Sequence, residues 1–129
     1  MDKLEMLLQT PYWIIDILPK QVPKDSPGQY FTIEDYFLKE QLASIKQKHI
    51  NVILKLNCYI DLTIENELNP APEKIAAIMR ERYVYIMADD SMILSEPDDT
   101  HMTLFNPGEE MLGLVQSLSS GEGLFVWKP

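Results

Sequence analysis

The sequence predicts one α+β domain, in which a mixed, largely antiparallel sheet carries about three helices packed mainly on one face. Three observations point there. The chain has 129 residues, close to the commonest size of a single domain. Strand-like and helix-like segments follow one another in the order β-α-β-α-β-β-β-α-β, so a meander is embedded among βα units. One long stretch alternates apolar and polar residues, the mark of a sheet dry on one side and wet on the other.

Each element has its own reason. Residues 1–9 read as a short helix with Leu4, Leu7 and Leu8 on one side, stopped by Pro11. Tyr12 to Leu18 is aromatic and β-branched and reads as a strand, apolar on both faces except at Asp16. Residues 19–29 hold three prolines, a glycine and two lysines, which is a loop composition. Thr32 to Lys48 has the spacing of a helix: Ile33, Phe37, Leu38, Leu42 and Ile45 share a face, while Lys39, Lys46 and Asp35 look away. Thr32 and Asp35 form a near match to a capping box.

From Leu54 to Glu65 the alternation is unbroken. Leu54, Leu56, Cys58, Ile60, Leu62 and Ile64 fall on one side, and Lys55, Asn57, Tyr59, Asp61, Thr63 and Glu65 on the other. The pattern predicts a strand of roughly 40 Å, long for a domain of this size. A helix follows the Asn69-Pro-Ala-Pro segment, with Ile75, Ile78 and Met79 as its stripe. Tyr83 to Ala88, Met92 to Leu94 and Met102 to Phe105 read as a meander, turned at Asp89-Asp90 and through the acidic loop 95–101. Asn106, Pro107 and Glu109 predict a capped helix start, Gly121 its end, and Leu124 to Trp127 the last strand.

Charge narrows the partners. The net charge is −9; residues 1–55 balance seven lysines with seven acids, and residues 56–129 set four basic residues against thirteen acids. Such a half repels phosphate, so nucleic acid and anionic membrane are excluded as partners. No stretch has the roughly 18 apolar residues of a bilayer span. The start of the chain lacks the pattern of a secretory leader, and the single cysteine cannot close an internal disulfide. A cytoplasmic location is the expectation.

No phosphate loop, dinucleotide fingerprint, nucleophile elbow, zincin helix or paired-cysteine motif occurs. No cofactor is called for. Two histidines, His49 and His101, are too few for most zinc sites unless carboxylates assist. Asp98, Asp99 and His101 are the one trio with ligand chemistry, set against the ordinary reading of a solvated Asp-Pro turn. Cys58, on the apolar side of the alternation, is expected to be buried and inert. Lys20 and Lys24 make the 19–31 loop the only locally basic surface, with Tyr30 at its end. Tyr59, Tyr83 and Tyr85 would form an aromatic patch on the wet sheet side if the faces of their strands coincide, the alternative being ordinary cross-strand pairing.

Two functional expectations follow. The first is a non-enzymatic interaction protein that uses the open sheet face or edge to bind another protein or a second copy of itself, as a homodimer. The second is a small-ligand site or enzyme built from the 19–31 loop with Asp16, Tyr30 and the 95–101 loop.

Overall fold

The computed structural model describes residues 2–129. Five helices and seven strands follow one another as α1 (Lys3–Leu8), β1 (Tyr12–Asp16), α2 (Tyr30–Glu40), α3 (Leu42–Leu56), β2 (Thr63–Ile64), β3 (Glu67–Leu68), α4 (Pro72–Glu81), β4 (Val84–Ala88), β5 (Ser91–Ser95), β6 (Met102–Phe105), α5 (Glu109–Gly121) and β7 (Phe125–Trp127). The strands form one sheet in the order β3-β2-β4-β5-β6-β1-β7. Every recorded pairing is antiparallel. The α+β class holds, with more helices than the sequence pattern counted. Among the described residues no helix is long and apolar enough to cross a membrane.

The main core lies on one sheet face. Ile15, Ile64, Val84, Ile86, Ala88, Ile93, Met102 and Leu104 pack there against α3, α4 and α5. The helices contribute Ile50, Ile53 and Leu56, then Ile75 and Met79, then Val115, nearly all sealed from solvent. Each such side chain stabilises the fold by about 1.5–3 kcal/mol relative to exposure. The opposite face is covered only in part. There Leu7 of α1 meets Met92 and Phe105, with Tyr85, Met87 and Leu94 around them.

The largest departure from expectation is the segment 54–65. It is not a strand. Residues Leu42–Leu56 are helical, Asn57 to Ile60 make a turn closed by the Ile60 N–H on the Leu56 carbonyl (3.1 Å), and only Thr63–Ile64 joins the sheet. The buried positions Ile45, His49, Ile50, Val52, Ile53 and Leu56 repeat with helical spacing. The sequence alternation from residue 54 onward runs across a helix end, a turn and a strand, so its period has no single structure behind it. Cys58 therefore sits in the turn and is exposed, which overturns its expected burial.

Other boundaries shift for physical reasons. The helix foreseen over 32–48 is two helices, interrupted at Gln41 with φ −123°. Lys46, expected to face away, is buried. The β2–β3 hairpin turns on Glu65 and Asn66, both with positive φ (50° and 68°), as a tight two-residue turn demands. Asn106 does not cap α5: its φ is 58° and its side-chain amide donates to the Asp90 carbonyl (3.0 Å), leaving Gly108 at the cap. The end of α5 turns on Gly123, whose φ of 75° favours glycine, rather than on Gly121.

Candidate functional site

β1 ends at Asp16, and the chain then runs through the proline-rich loop to α2. This loop folds back over the end of the sheet and encloses a cleft of about 230 Å³, lined by Ile14, Asp16, Leu18, Lys20, Gln21, Val22, Tyr30, His101 and Trp127. Ile14 pairs with Trp127 across β1 and β7, so both rise from the sheet face turned away from the main core. The Trp127 indole N–H donates to the Leu18 carbonyl (3.1 Å), which fixes the ring as a wall. Asp16, Lys20, Tyr30 and His101, drawn from β1, the loop, α2 and the residue before β6, thus converge on one space.

The polar groups of the cleft are held unequally. Asp16 Oδ1 accepts the Ile17 N–H (2.7 Å), and burial raises its carboxyl above the usual range. Tyr30 donates its hydroxyl to Glu34 Oε2 (2.7 Å), a bond that pushes the phenol up to about 12. His101 Nδ1 lies 2.8 Å from Asp99 Oδ1, and this contact raises the imidazole. Burial alone would lift Asp99, but His101 outweighs it and holds the carboxyl down to about 2. Glu96, raised by burial and by the neighbouring Asp99, completes the group.

Behind this loop lies a buried pair that sequence reasoning missed. Lys46 Nζ donates to the Glu96 carbonyl (2.7 Å), to Ser95 Oγ (3.3 Å) and to His49 Nδ1 (3.0 Å). Both side chains, carried by α3, are sealed from solvent. Burial lowers Lys46 to about 8 and, together with Lys46, lowers His49 to about 3. Neutral His49 accepts at Nδ1, which puts its proton on Nε2; that atom is buried, and no well-formed hydrogen bond reaches it among the described residues. Lys46 ties the start of loop 95–101 to α3. The available signal was the i,i+3 spacing of Lys46 and His49 inside the apolar stripe Ile45, Ile50, Ile53.

The remaining expected residues scatter. Lys24 is exposed and lines none of the cavities described here. Asp98 is exposed and outside the ligand trio; Glu96, Asp99 and His101 are the residues whose ligand atoms lie within 4.8 Å of one another. In that trio Asp99 Oδ1 already accepts the Thr100 N–H (2.7 Å) besides meeting His101 Nδ1. A cation there would have to displace an existing bonding arrangement. Tyr83 and Tyr85 do share a face, with hydroxyls 2.8 Å apart and rings edge to face. Tyr59 is not with them. It lies in the turn after α3, beside a wide, open, acidic groove of about 850 Å³ with Asp89, Asp90, Glu109 and Glu110. That groove is larger than the cleft, but its charged groups are exposed carboxylates of one sign, whereas the cleft brings half-buried Asp16 and His101 together with the exposed Lys20.

No protein family, curated protein or solved structure matches the chain.

Proposed function

We propose that the chain is a small-ligand-binding protein whose site is the cleft over the end of β1. The observation that carries this reading is the convergence of Asp16, Lys20, Tyr30 and His101, from four separate segments, around one partly enclosed space. Polar groups that converge beside apolar side chains, here Ile14, Leu18, Val22 and Trp127, are a common make-up of a ligand site. The Asp99-supported His101 also gives the cleft a group able to move a proton. A screen of small metabolites by two-dimensional NMR tests the reading. Ligands should shift the Trp127 indole and His101 resonances together. A broad set that moves neither removes it.

A second reading is favoured by the exposed apolar side chains on the sheet face away from the main core. Leu68, Tyr83, Tyr12 and Phe125 are each more than two-fifths exposed, and α1 covers only the middle of that face. Such a surface suits a protein partner, here taken as a second copy in a two-fold dimer. The route through residues 54–65 and Tyr59 is gone, because that segment is not a strand. Sedimentation of wild type and of Tyr83→Lys is the test. A monomeric wild type, or a dimer unaffected by Tyr83→Lys, ends this reading.

A further inference from the structure

We propose that the cleft takes a zwitterion of amino-acid size, with its ammonium on Asp16, its carboxylate on Lys20 and His101, and an apolar side chain against Ile14, Val22 and Trp127. The proposal rests on the reading of the cleft as a small-ligand site and names the ligand's class.

Size comes first. Sites for drug-sized ligands run from about 300 Å³ upward, and this cleft holds about 230 Å³. The occupant is therefore smaller than a nucleotide or a peptide. Charge comes second. Asp16 is half-buried, and among the described residues it forms no ion pair; its recorded hydrogen bond is the backbone N–H of Ile17. Removing a carboxylate from water is costly, and burial raises this one; His101 of the same cleft offsets that only in part, and no salt bridge joins the two among the described residues. A ligand ammonium supplies what is missing. Lys20, on the loop side of the same cleft, is in neither a salt bridge nor a hydrogen bond among the described residues. His101 uses Nδ1 on Asp99, which leaves Nε2 for a ligand.

The mixture of signs decides the class. A bare cation would meet Asp16 but also Lys20 and His101. A bare anion would meet Lys20 and His101 but also Asp16, with Asp99 and Glu96 close behind. A molecule carrying both charges satisfies every group at once. The walls add to the selection: Ile14, Leu18, Val22 and the fixed Trp127 ring offer apolar contact for a side chain, beside the polar Gln21 and Tyr30.

The test uses the full chain and three related probes: leucine, isopentylamine, which lacks the carboxylate, and 4-methylpentanoate, which lacks the ammonium. Two-dimensional NMR titration should show leucine shifting Trp127 and His101, with each single-charge analogue at least about tenfold weaker. Asp16→Asn and Lys20→Gln, each checked for native dispersion of the spectrum, should weaken leucine similarly. An amine or acid that binds as well as leucine overturns the zwitterion while leaving a small-ligand cleft. Silence from all twenty amino acids also overturns it; if the wider metabolite screen then finds another ligand, the cleft stands, and if it finds none, the cleft falls as well.

Discussion

Lys46 Nζ and His49 Nδ1 lie 3.0 Å apart on successive turns of α3, both sealed from solvent, with the lysine bridging on to loop 95–101. Two bases that face each other cannot both be charged in this space. The lysine keeps its proton near neutrality and the histidine gives its own up. The arrangement makes the fold's stability depend on pH from both sides.

The acid side belongs to His49. Its folded value is lowered to about 3, while unfolded it titrates near the ordinary 6.5. Between these values the unfolded chain binds a proton that the folded chain refuses, so stability falls as pH falls below about 6.5. His49→Gln keeps an acceptor for Lys46 and removes the titration. The variant should lose less stability between pH 6.5 and pH 4 than wild type, by about 2 kcal/mol or more. Chemical denaturation at the two pH values measures it. Parallel losses in both proteins would contradict the assignment.

The alkaline side belongs to Lys46. Its folded value is lowered to about 8 from 10.5 by burial. From pH 8 to about 10 the unfolded chain carries more of this proton, so stability contributed by this group rises with pH across that window. Lys46→Met should abolish the rise. It should also destabilise the protein at pH 7 by about 1–3 kcal/mol, because Ser95 Oγ and the Glu96 carbonyl lose their buried donor. Above about pH 10.5 the unfolded lysine has lost its proton too, and the window closes.

Cys58 is exposed in the turn after α3, its Sγ 3.7 Å from the Leu54 carbonyl. A thiol reagent should label it stoichiometrically under native conditions, at a rate near that of a free thiol. Cys58→Ser should change stability by less than about 0.5 kcal/mol, as for surface substitutions generally. Labelling that requires denaturant would place the side chain inside.

How much of this was legible beforehand differs by segment. The meander β4–β5–β6 read cleanly because its strands are short, β-rich and separated by turn residues, with Asp89 taking a positive φ of 58°. The helix over Pro72–Glu81 announced itself by proline in the first turn and a regular stripe. Residues 54–65 read as a strand because their period of two runs across a helix end, a turn and a two-residue strand, while the buried Ile45, His49, Ile53 and Leu56 keep the helical repeat. In the cleft, Asp16 stood out as the one polar residue in an apolar strand, and Tyr30 and Lys20 by their place in the loop. Lys46, His49 and Glu96 did not, because burial of a lysine depends on what packs over it, and local pattern assigns lysine to the outside.

The last prediction concerns the support of His101. Asp99 raises the imidazole, and the imidazole holds Asp99 down to about 2. These are two views of one contact and are not added. Viewed from His101, the contribution is fully present below about 6.5 and is lost as pH rises through the higher folded value. Viewed from Asp99, it is present above about 3.8 and is lost as pH falls through about 2. The contact therefore helps most between about pH 4 and 6.5. Asp99→Asn keeps an oxygen for the Thr100 N–H and removes the charge. With both partners about one-third exposed, the loss should be only about 1 kcal/mol at pH 5.5 and smaller at pH 8. In an NMR titration, the His101 ring should change protonation at lower pH in the variant than in wild type, while His49 stays neutral in both over the same range. An unchanged His101 titration would mean that something other than Asp99 sets its charge, and the proton-moving role given to His101 in the cleft would lose its support.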